Sequence, residues 1–449
     1  MRWKPMRIAG WGRTPWASVE AARPERMAEL VRAVTTGHAS GLIAHGQGRS
    51  YGDQALNDGG GLVLTGRLDR LLDFDVETGL LECEPGVTFA TLLDVFLERG
   101  WIAPTTPGTA FATIGGAVAN DVHGKNHEAV GSFGDHVAWL ELVLASGEVV
   151  RASREEEPEL FRATIGGGGL TGIISRVAFR MAPAPSSNIV VREERIGNLD
   201  AFIERFRAAS DAAAFSVGWI DAMAEGPALG RGILELGEFA EGDGAVPPLP
   251  ARRRRSVPFV LPGFALSGPS VRLFNRHYFN RVPPEGRQRT VPLDAFFYPL
   301  DAILEWNRIY GPKGFNQFQC VLPDAAAAAG LRQLMEAIAG TRRASFLAVL
   351  KRLGGNGRGH LSFPMAGFTL ALDFPHRAGS AELFARLEAI TLDHGGRIYL
   401  AKDSLLSVAG FRAMYPELPA FRQVLETVDP KARFQSDLAR RLGIREAES

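Results

Sequence analysis

Three segments rich in glycine and other small residues contain most of the groups in this sequence that could do chemistry. The first covers residues 46–53 and has the sequence GQGRSYGD. The second covers residues 107–120 and continues into the run HGKNH at residues 123–127, and the third covers residues 166–172. Backbone N–H groups that small residues leave accessible can surround an anion. Together, the three loops favour an extended ligand with a pyrophosphate and a flat ring system.

The first loop by itself allows several interpretations. A dinucleotide fingerprint has the spacing G-x-G-x-x-G and opens a helix, but the glycines at positions 46, 48 and 52 are spaced differently. Residues 48–52 match the G-x-S-x-G nucleophile elbow of hydrolases, which also requires a helix after the serine. The sequence NDGGG at residues 57–61 argues against such a helix. An anion-binding loop and a plain glycine turn remain, and the two further loops favour anion binding.

Short strands and capped helices must position these loops in the first half of the chain. The predicted elements are strands over residues 41–46, 61–64 and 80–84, a helix that Thr88 begins and Gly100 ends, a hairpin over residues 136–150, and a helix over residues 158–164. Because strands do not alternate regularly with long helices, the sequence predicts an α+β protein and not a doubly wound parallel sheet.

A proline-marked stretch at residues 181–187 is the predicted boundary between two domains. Residues 237–289, rich in proline, glycine and arginine, are predicted to form a long irregular loop. The other predicted elements are a strand over residues 189–193, a helix over residues 199–209, strands over residues 315–322, 345–350 and 368–374, and a helical tail over residues 418–442. The predicted domains are residues 1–185, residues 186–395, and a segment of residues 396–449 that returns to the first domain.

The composition excludes several classes of protein. Lysine plus arginine and aspartate plus glutamate each total 50, so no net charge attracts nucleic acid or an anionic membrane to the whole surface. The two cysteines, Cys83 and Cys320, predict neither a disulfide framework nor a metal site. We read no signal peptide and no run of 18 apolar residues. We therefore expect a cytoplasmic, folded protein.

Several of these stretches carry a family resemblance. GRSYGD at residues 48–53, the run from PGT to GGA at residues 107–117, HGK at residues 123–125 and GLTG at residues 169–172 resemble the PCMH-type FAD-binding domain of the vanillyl-alcohol-oxidase superfamily. Within it, the chain is similar to the decaprenylphosphoryl-β-D-ribose oxidases. The resemblance runs from residue 10 to residue 441 and includes HGKNH, EWNR at residues 305–308 and AKDS at residues 401–404.

The resemblance implies an FAD-binding domain followed by a substrate domain whose antiparallel sheet covers the flavin. Many superfamily members link FAD covalently through a histidine before the serine of the first loop. Arg49 occupies that place here, so noncovalent FAD is expected. The implied cofactor-binding residues are Gly46, Gln47, Gly48, Arg49, Ser50, Tyr51, Gly52, Asp53, Gly108, Thr109, Thr113, Gly116, Asn120, His123, Gly124, Lys125, Asn126, His127, Ile174 and Tyr399.

Removing a hydride from a secondary alcohol requires a base for the hydroxyl proton and positive charge near the pyrimidine end of a flavin. Lysine and histidine are suited to both tasks. A lysine in a loop is usually a solvated side chain, so residue type alone assigns little. With the resemblance, Lys402 is the expected base, and His123 and Lys125 are the other expected catalytic residues.

The alternation of the three later strands predicts a shared polar face. Gln317 and Gln319 lie on one face of the first strand. Leu347, Val349 and Lys351 lie on one face of the second, and Thr369, Ala371 and Asp373 lie on one face of the third. If that face covers the flavin, these residues bind sugar hydroxyls and a phosphate. A solvent-exposed polar face fits the alternation equally well.

Three positions depart from the family pattern. The family has a cysteine at the position of Ala371, an asparagine at Thr369 and a tyrosine beside the substrate at Phe297. None of these departures removes the expected base or the cofactor loops. The oxidation activity is therefore expected to be retained, while the sugar or the lipid of the substrate can differ from that of the family.

Three functions are compatible with the sequence at this point. The first is oxidation of a polyprenylphosphoryl ribose to its 2-keto form in an epimerisation for cell-envelope glycan synthesis, completed by a separate short-chain reductase. The second is an alditol or sugar-lactone oxidase, and the third is a flavin-binding subunit without turnover. The four arginines at residues 252–255 before an apolar run could rest on an anionic bilayer, although such runs are more often solvated linkers.

Overall fold

The computed structural model describes residues 2–209, 213–242, 246–250, 253–263, 266–341, 343 and 346–445. Arg252 of the arginine run and Ser345 of a predicted strand lie outside the described residues. The strands are β1 (Lys4–Ala9), β2 (Trp16–Ala22), β3 (Leu42–His45), β4 (Gly61–Leu64), β5 (Leu71–Asp75), β6 (Leu80–Cys83), β7 (Trp101–Ile102), β8 (Val137–Val143), β9 (Val149–Ser153), β10 (Ile173–Arg180), β11 (Ala182–Pro183), β12 (Asn188–Ile196), β13 (Phe215–Ile220), β14 (Gly232–Phe239), β15 (Arg255–Ser256), β16 (Arg287–Pro292), β17 (Ile303–Leu304), β18 (Phe315–Pro323), β19 (Ala348–Leu353), β20 (Gly367–Pro375) and β21 (Arg397–Ile398).

Fourteen α-helices accompany these strands in the described ranges. They are α1 (Met27–Thr36), α2 (Phe89–Phe96), α3 (Ile114–Ala119), α4 (His127–Val130), α5 (Phe133–His136), α6 (Pro158–Thr164), α7 (Leu199–Ala209), α8 (Gly268–Asn280), α9 (Leu293–Phe297), α10 (Ala327–Thr341), α11 (Ser380–Asp393), α12 (Val408–Met414), α13 (Leu418–Val428) and α14 (Asp437–Arg441). The predicted α+β class is confirmed. None of the described helices is long and apolar enough to cross a membrane.

Two sheets build the first half of the chain. Strands β2, β4 and β3 run parallel, and β1 pairs antiparallel with β2 at the edge. The second sheet has the order β5-β6-β10-β8-β9 and is antiparallel throughout. Thr88 caps α2 as predicted, because its side chain accepts a hydrogen bond from the Thr91 amide. Residues 46–88 contain no helix, so the first glycine loop continues as turns and strands.

An eight-stranded sheet with the order β16-β12-β14-β13-β19-β20-β18-β21 builds the second half. Its register aligns the predicted polar positions across three strands, because Gln319 lies opposite Ala371 and Lys351 lies opposite Thr369. The alternate positions are apolar: Phe318 and Leu372 belong to the same buried core as residues of α10 and α11. The sheet therefore turns its apolar face to two helices and its polar face to the first half of the chain.

The C-terminal segment packs against the first sheet. Phe434 forms an isolated β-bridge with Leu42, and the Arg441 guanidinium binds both carboxylate oxygens of Asp53 at 2.7 and 2.9 Å. A further hydrogen bond from Arg441, of 2.8 Å, reaches Asp403. The segment thus fastens the first glycine loop to the loop that contains Lys402. The exact domain boundaries stay a prediction.

The predicted irregular stretch at residues 237–289 is wrong in part. It contains the 13-residue helix α8, whose buried positions Val271, Asn275 and Phe279 recur every four residues. Because proline and arginine residues surround this short amphipathic pattern, the helix could not be recognised from the sequence. The second of the three later predicted strands is also shifted, because β19 covers 348–353 and not 345–350. The predicted helical tail is interrupted between α13 and α14.

Candidate active site

His123 lies where the second glycine loop meets the polar face of the eight-stranded sheet. Its Nε2 is 3.0 Å from Gln319 Nε2, and its Nδ1 is 3.2 Å from Lys351 Nζ. Gln319 Nε2 also donates a hydrogen bond of 3.2 Å to the Thr369 hydroxyl. The structure therefore brings together four predicted site residues that are far apart in the sequence.

The two contacts of His123 constrain its proton. A neutral imidazole has one donor and one acceptor nitrogen, so it cannot accept hydrogen bonds at both. Burial, and then the charge of Lys351, hold the pKa of His123 well below its ordinary value. Burial and the charges of Lys125 and Lys402 lower the pKa of Lys351 to about 7. A neutral Lys351 amine accepts the proton of Nδ1, and Nε2 then accepts from Gln319, so uncharged groups satisfy this arrangement.

Asp373 is the second centre of the polar face. Its carboxylate accepts hydrogen bonds from Gln317 at 2.6 Å and from the Tyr310 hydroxyl at 2.9 Å. Burial raises the pKa of Asp373 to about 7, against the effects of those two hydrogen bonds and of Lys402. The position is fully buried. A carboxyl group in this setting can exchange a proton near neutral pH.

Lys402 lies at the end of the site next to the first glycine loop. Its Nζ is 3.9 Å from the centre of the Tyr51 ring, a cation–π geometry. Burial lowers the pKa of Lys402 to about 8, and the nearby Asp373 opposes that change. An amine with this pKa is partly neutral in the physiological range and can accept a proton.

The polar face is buried and not exposed to solvent. Gln317, Gln319, Thr369 and Asp373 are each at most 6% exposed. Ala371 lies between Gln319 and Val349 in the register, so its methyl group occupies the centre of this face. The alternative interpretation of the alternation, a solvated polar surface, is therefore wrong.

Lys125 and Phe297 occupy a neighbouring aromatic cluster. The Lys125 ammonium donates to the Phe296 carbonyl oxygen and lies 3.9 Å from the centre of the Phe296 ring. Burial lowers the pKa of Lys125 to about 8. Phe297 packs edge-on against Phe215 at 4.9 Å. The structure places Lys125 close enough to affect Lys351 electrostatically, but in different direct contacts from those of Lys402.

The first and second glycine loops lie against each other. Thr113 caps α3, because its Oγ1 accepts from the Gly116 amide at 3.2 Å. A Cβ atom at Gly46 would lie 2.6 Å from the same oxygen, so only glycine allows this close approach. Gly48 has a positive φ of 62°, a conformation that other residues rarely adopt.

The first loop is also fixed to the Lys402 loop. The Tyr51 amide donates to the Ala401 carbonyl at 3.0 Å. A Cβ atom at Gly52 would lie 1.7 Å from the Asp403 carbonyl oxygen, which excludes any side chain there. The position of Lys402 relative to the predicted cofactor loops is therefore determined by backbone contacts.

Three buried polar atoms near these loops have no hydrogen-bond partner among the described residues: Arg49 Nε, Asn120 Oδ1 and His127 Nε2. The Arg49 guanidinium lies over the rings of Trp11 and Phe111, at 4.2 and 4.8 Å from their centres. Buried polar groups normally have partners. Donors and acceptors of this kind suit the phosphates and the ring edge of a bound dinucleotide, so the residues fit FAD.

Several predicted cofactor residues have other partners in the structure. The Thr109 hydroxyl donates to Asp301 at 2.8 Å, and Asn126 bonds to Pro104 and Thr105. Asp53 is bound by Arg441, so its carboxylate is held by the C-terminal segment. The Tyr399 hydroxyl donates to the Asn120 carbonyl oxygen, and Ile174 lies in β10. Ser50 lies beside Gln54, and Gly124 lies against Thr105. The other predicted cofactor residues in the loops are Gln47, which is exposed, and Gly108.

Asp373, Tyr310 and Trp11 have no functional role that the sequence alone predicts. The alternation correctly places Asp373 on the same face of β20 as Thr369 and Ala371, but it assigns no chemistry to this carboxylate. Tyr310 lies in a 3₁₀ helix and Trp11 in a turn, and neither carries a periodic signal. Their positions depend on tertiary contacts.

Comparisons with known proteins extend these observations. Residues 18–153 match a family model described as an FAD binding domain, and residues 368–442 match one described as D-arabinono-1,4-lactone oxidase. The chain is 36% identical over 452 residues to the decaprenylphosphoryl-β-D-ribose oxidase of Mycolicibacterium smegmatis, which covers 97% of both chains. It is 27% identical over 217 residues to a D-lactate dehydrogenase of Anaerostipes hadrus, 45% of this chain and 44% of that one. It is 29% identical over 180 residues to a xylooligosaccharide oxidase of Thermothelomyces thermophilus, 38% of this chain and 35% of that one.

Proposed function

Since the chain belongs to the decaprenylphosphoryl-β-D-ribose oxidase family, we propose that it oxidises the 2-hydroxyl group of a polyprenylphosphoryl ribose to a ketone. The general activity is that of an FAD-dependent oxidoreductase that acts on the alcohol groups of sugars. The observation that carries the finer proposal is the buried, cation-rich face formed by β18, β19 and β20 and completed by His123 and Lys402. Such a face suits a ligand with several hydroxyls and a phosphate.

FAD is the cofactor, and it supplies the acceptor for the hydride that leaves the sugar carbon. The glycine loops at residues 46–53 and 107–120 would hold its pyrophosphate through backbone amides. Arg49 Nε, Asn120 Oδ1 and His127 Nε2 are buried polar atoms available for bonds to it. Because Arg49 stands where many superfamily members have a linking histidine, we expect denaturation in acid to release the flavin into the supernatant. Flavin that remains with the precipitated protein, detected by mass spectrometry of the pellet, would contradict this expectation.

Lys402 is the proposed base. The neutral amine accepts the hydroxyl proton while the adjacent carbon loses its hydride, so that one C–H and one O–H bond break and a C=O bond forms. A pKa of about 8 provides neutral amine near physiological pH. Asp373 is close enough to act on Lys402 electrostatically, and it can take up the proton during turnover.

Lys351 and Gln319 are the proposed contacts for the polar part of the substrate. Lysine binds phosphate as a point charge, and a substrate anion would raise the lowered pKa of Lys351 by favouring the ammonium form. Gln317, Gln319 and Thr369 offer amide and hydroxyl groups to a sugar. Ala371 leaves the centre of the face apolar and small, which gives room for a sugar ring.

A lactone oxidase is the second candidate. Residues 368–442, which include Thr369, Ala371 and Lys402, match the family model described as D-arabinono-1,4-lactone oxidase. A free sugar or lactone lacks the phosphate that would need Lys351. The identity of the group at the anomeric position therefore separates the two candidates.

The main proposal implies two partners of this protein, a reductase and a membrane surface. A 2-keto sugar on a lipid phosphate needs a reductase, expected from the short-chain class, to complete an epimerisation. The substrate lies in a membrane, so a peripheral contact is also proposed, with exposed Arg253 to Arg255 and Phe259, which is 63% exposed, facing the bilayer.

The test is anaerobic reduction of the enzyme-bound flavin by a panel of substrates, followed by absorbance. The panel holds a short-chain polyprenylphosphoryl ribose, the matching arabinose compound, free ribose and arabinono-1,4-lactone. Bleaching by the lipid-linked ribose at far lower concentration than by the free sugar is expected. Faster bleaching by the lactone would overturn the proposal in favour of the second candidate.

A further inference from the structure

A cleft of about 540 Å³ opens at the surface between the turn that follows β1 and the ends of β18 and β20. Four of its lining side chains are basic: Arg13, Lys313, His376 and Arg377. None of the described lining residues is a carboxylate, and none belongs to the polar face of the active site. Arg13, Lys313 and Arg377 therefore give the lining a positive charge, and the ion pair of Arg308 and Glu305 lies close to Arg13.

Arg13 is a half-buried member of this cluster of basic side chains. Its NH1 atom is buried and has no hydrogen-bond partner in the described ranges. Its φ angle is 59°, in the left-handed region, so the surrounding structure holds Arg13 in a conformation that costs free energy. An unpaired guanidinium donor is available to bind an anion.

The walls of the cleft are held in place by contacts that leave ligand-binding groups available. The Arg377 NH2 atom donates to the carbonyl oxygens of Gly263 and Leu266, at 3.0 and 2.7 Å, which fixes one wall. Lys313 is exposed beside it. Trp16 is 45% exposed, and the Arg7 guanidinium lies over its ring, 4.9 Å from the ring centre.

We propose that this cleft is a second anion-binding site, which takes a phosphate group attached to an organic residue and acts on the loop that holds Lys402. Arg13 and Lys313 bind the phosphate, and Trp16 packs against the organic part. The site is separate from the one that holds FAD and sugar. A phosphate carries enough charge to justify two cations and accepts hydrogen bonds in several directions.

Two short chains of contacts connect the cleft with the active site. His376 Nδ1 donates to Asn316 Oδ1 at 2.8 Å, and Asn316 Nδ2 donates to the Ser404 hydroxyl at 2.8 Å, two residues from Lys402. On the other side, the amide of Gly12, which precedes Arg13, donates to the Tyr51 carbonyl at 3.1 Å. The Tyr51 ring is the one that Lys402 contacts. An anion bound to Arg13 and Lys313 therefore acts on Tyr51 through Gly12, and on Ser404 through His376, whose amide donates to the carbonyl of Gly314 next to Lys313.

The phosphate can come from a soluble phosphate ester or from a lipid head group, and two probes distinguish these sources. The first is inorganic pyrophosphate, titrated by calorimetry into the FAD-loaded enzyme. The second is sedimentation with vesicles of phosphatidylglycerol, compared with vesicles of phosphatidylcholine. Both use wild type, Lys313→Met and the control Lys431→Met, which makes the same change at an exposed lysine outside the cleft.

Binding in either arm that weakens about tenfold or more in Lys313→Met and not in Lys431→Met supports the site. The arm in which it occurs identifies the source of the phosphate. Equal binding by all three proteins, or binding in neither arm, overturns the proposal. This result does not depend on which sugar is oxidised, because no substrate is present.

The action on the catalytic loop has its own measurement. The rate of anaerobic flavin reduction by the best sugar substrate is compared with and without the saturating probe. A change of at least a few-fold in wild type that is absent in Lys313→Met is expected. An unchanged rate in wild type at full occupancy would refute the coupling between cleft and loop.

Discussion

Two charged clusters on the same eight-stranded sheet differ in how their charges are balanced. At the edge, the Glu193 carboxylate on β12 is completely buried and binds Arg281, Arg287 and Arg289. In the centre, Lys351 on β19 contacts His123, and no carboxylate lies within salt-bridge distance of it in the described residues. The buried carboxylate is paired with opposite charges, whereas the buried amine has no carboxylate partner in the described part of the chain.

The pKa values of Glu193 and Lys351 reflect this difference in their partners. Burial would raise the pKa of Glu193, but hydrogen bonds from Arg287 and Arg289 and the charge of Arg281 outweigh it and lower the pKa to about 2. Burial and neighbouring lysines lower the pKa of Lys351 to about 7. The carboxylate at the edge favours its charged form in the folded state, whereas the lysine at the centre is driven towards neutrality.

Their contributions to stability therefore have opposite signs. The lowered pKa of Glu193 stabilises the fold above the pKa of the unfolded chain, and this contribution is lost as pH falls towards 2. Lys351 binds a proton more weakly when folded, so it lowers stability at pH values below the ordinary lysine pKa, most fully below about 7. Groups kept at such a cost are typical of functional sites.

The largest effect is expected for Lys402→Met, which tests whether the central cluster does the chemistry. Methionine keeps the apolar stem and removes the amine, so FAD content and folding should be retained. A positioned base contributes about a hundred-fold to ten-thousand-fold in rate, and we expect a loss in this range in anaerobic stopped-flow reduction. Lys431→Met is the control and should reduce at the wild-type rate. Reduction by Lys402→Met within a few-fold of wild type would refute the role of Lys402.

The next largest effect is a loss of stability, expected in the cluster of Glu193 and its three arginines. Glu193→Gln keeps the shape but removes the charge that balances the three arginines. We expect the free energy of unfolding to fall by about 2–3 kcal/mol, less than for a fully buried pair because the arginines are partly exposed. Chemical denaturation of the FAD-loaded protein measures it. The flavin reduction rate should stay at the wild-type value. A loss of rate without a loss of stability would contradict the assignment of Glu193 to stability and not to catalysis.

Lys351→Met should give the smallest change in stability, and with the opposite sign. Removing a buried amine relieves its desolvation and its repulsion by Lys125 and Lys402, so we expect the free energy of unfolding to rise by about 1 kcal/mol or more. The apparent affinity for a phosphate-linked sugar should fall about tenfold, while a free sugar is unaffected. A variant that is less stable than wild type would show that Lys351 is a structural residue.

The elements around the site could be predicted from local patterns. Thr88 as a helix cap, the hairpin of β8 and β9, and the alternation of Gln317 and Gln319 all depend on neighbours in the sequence. The glycines were informative because Gly46 and Gly52 each approach another chain segment closely. The α8 helix was missed because proline and arginine around it conceal a short amphipathic pattern.

The relations within the site could not be predicted from the residues alone. His123 meets Gln319 and Lys351, which are 196 and 228 positions away in the chain. Arg441 joins Asp53 to Asp403 across most of the sequence. Such contacts depend on how two sheets face each other, and no local pattern encodes that. The strengths of the charges, and so the pKa values, depend on burial that only the fold establishes.

The most direct test of the central claim is the pH dependence of flavin reduction in wild type and Lys402→Met, at saturating substrate between about pH 6 and 9.5. Lys402 must be neutral to accept the proton, and its pKa is about 8. We therefore predict a wild-type rate that rises about tenfold per pH unit below pH 8 and becomes constant above it, and a Lys402→Met rate that lacks this rise. A wild-type rate that is constant over the whole range, or the same rise in both proteins, would contradict the account.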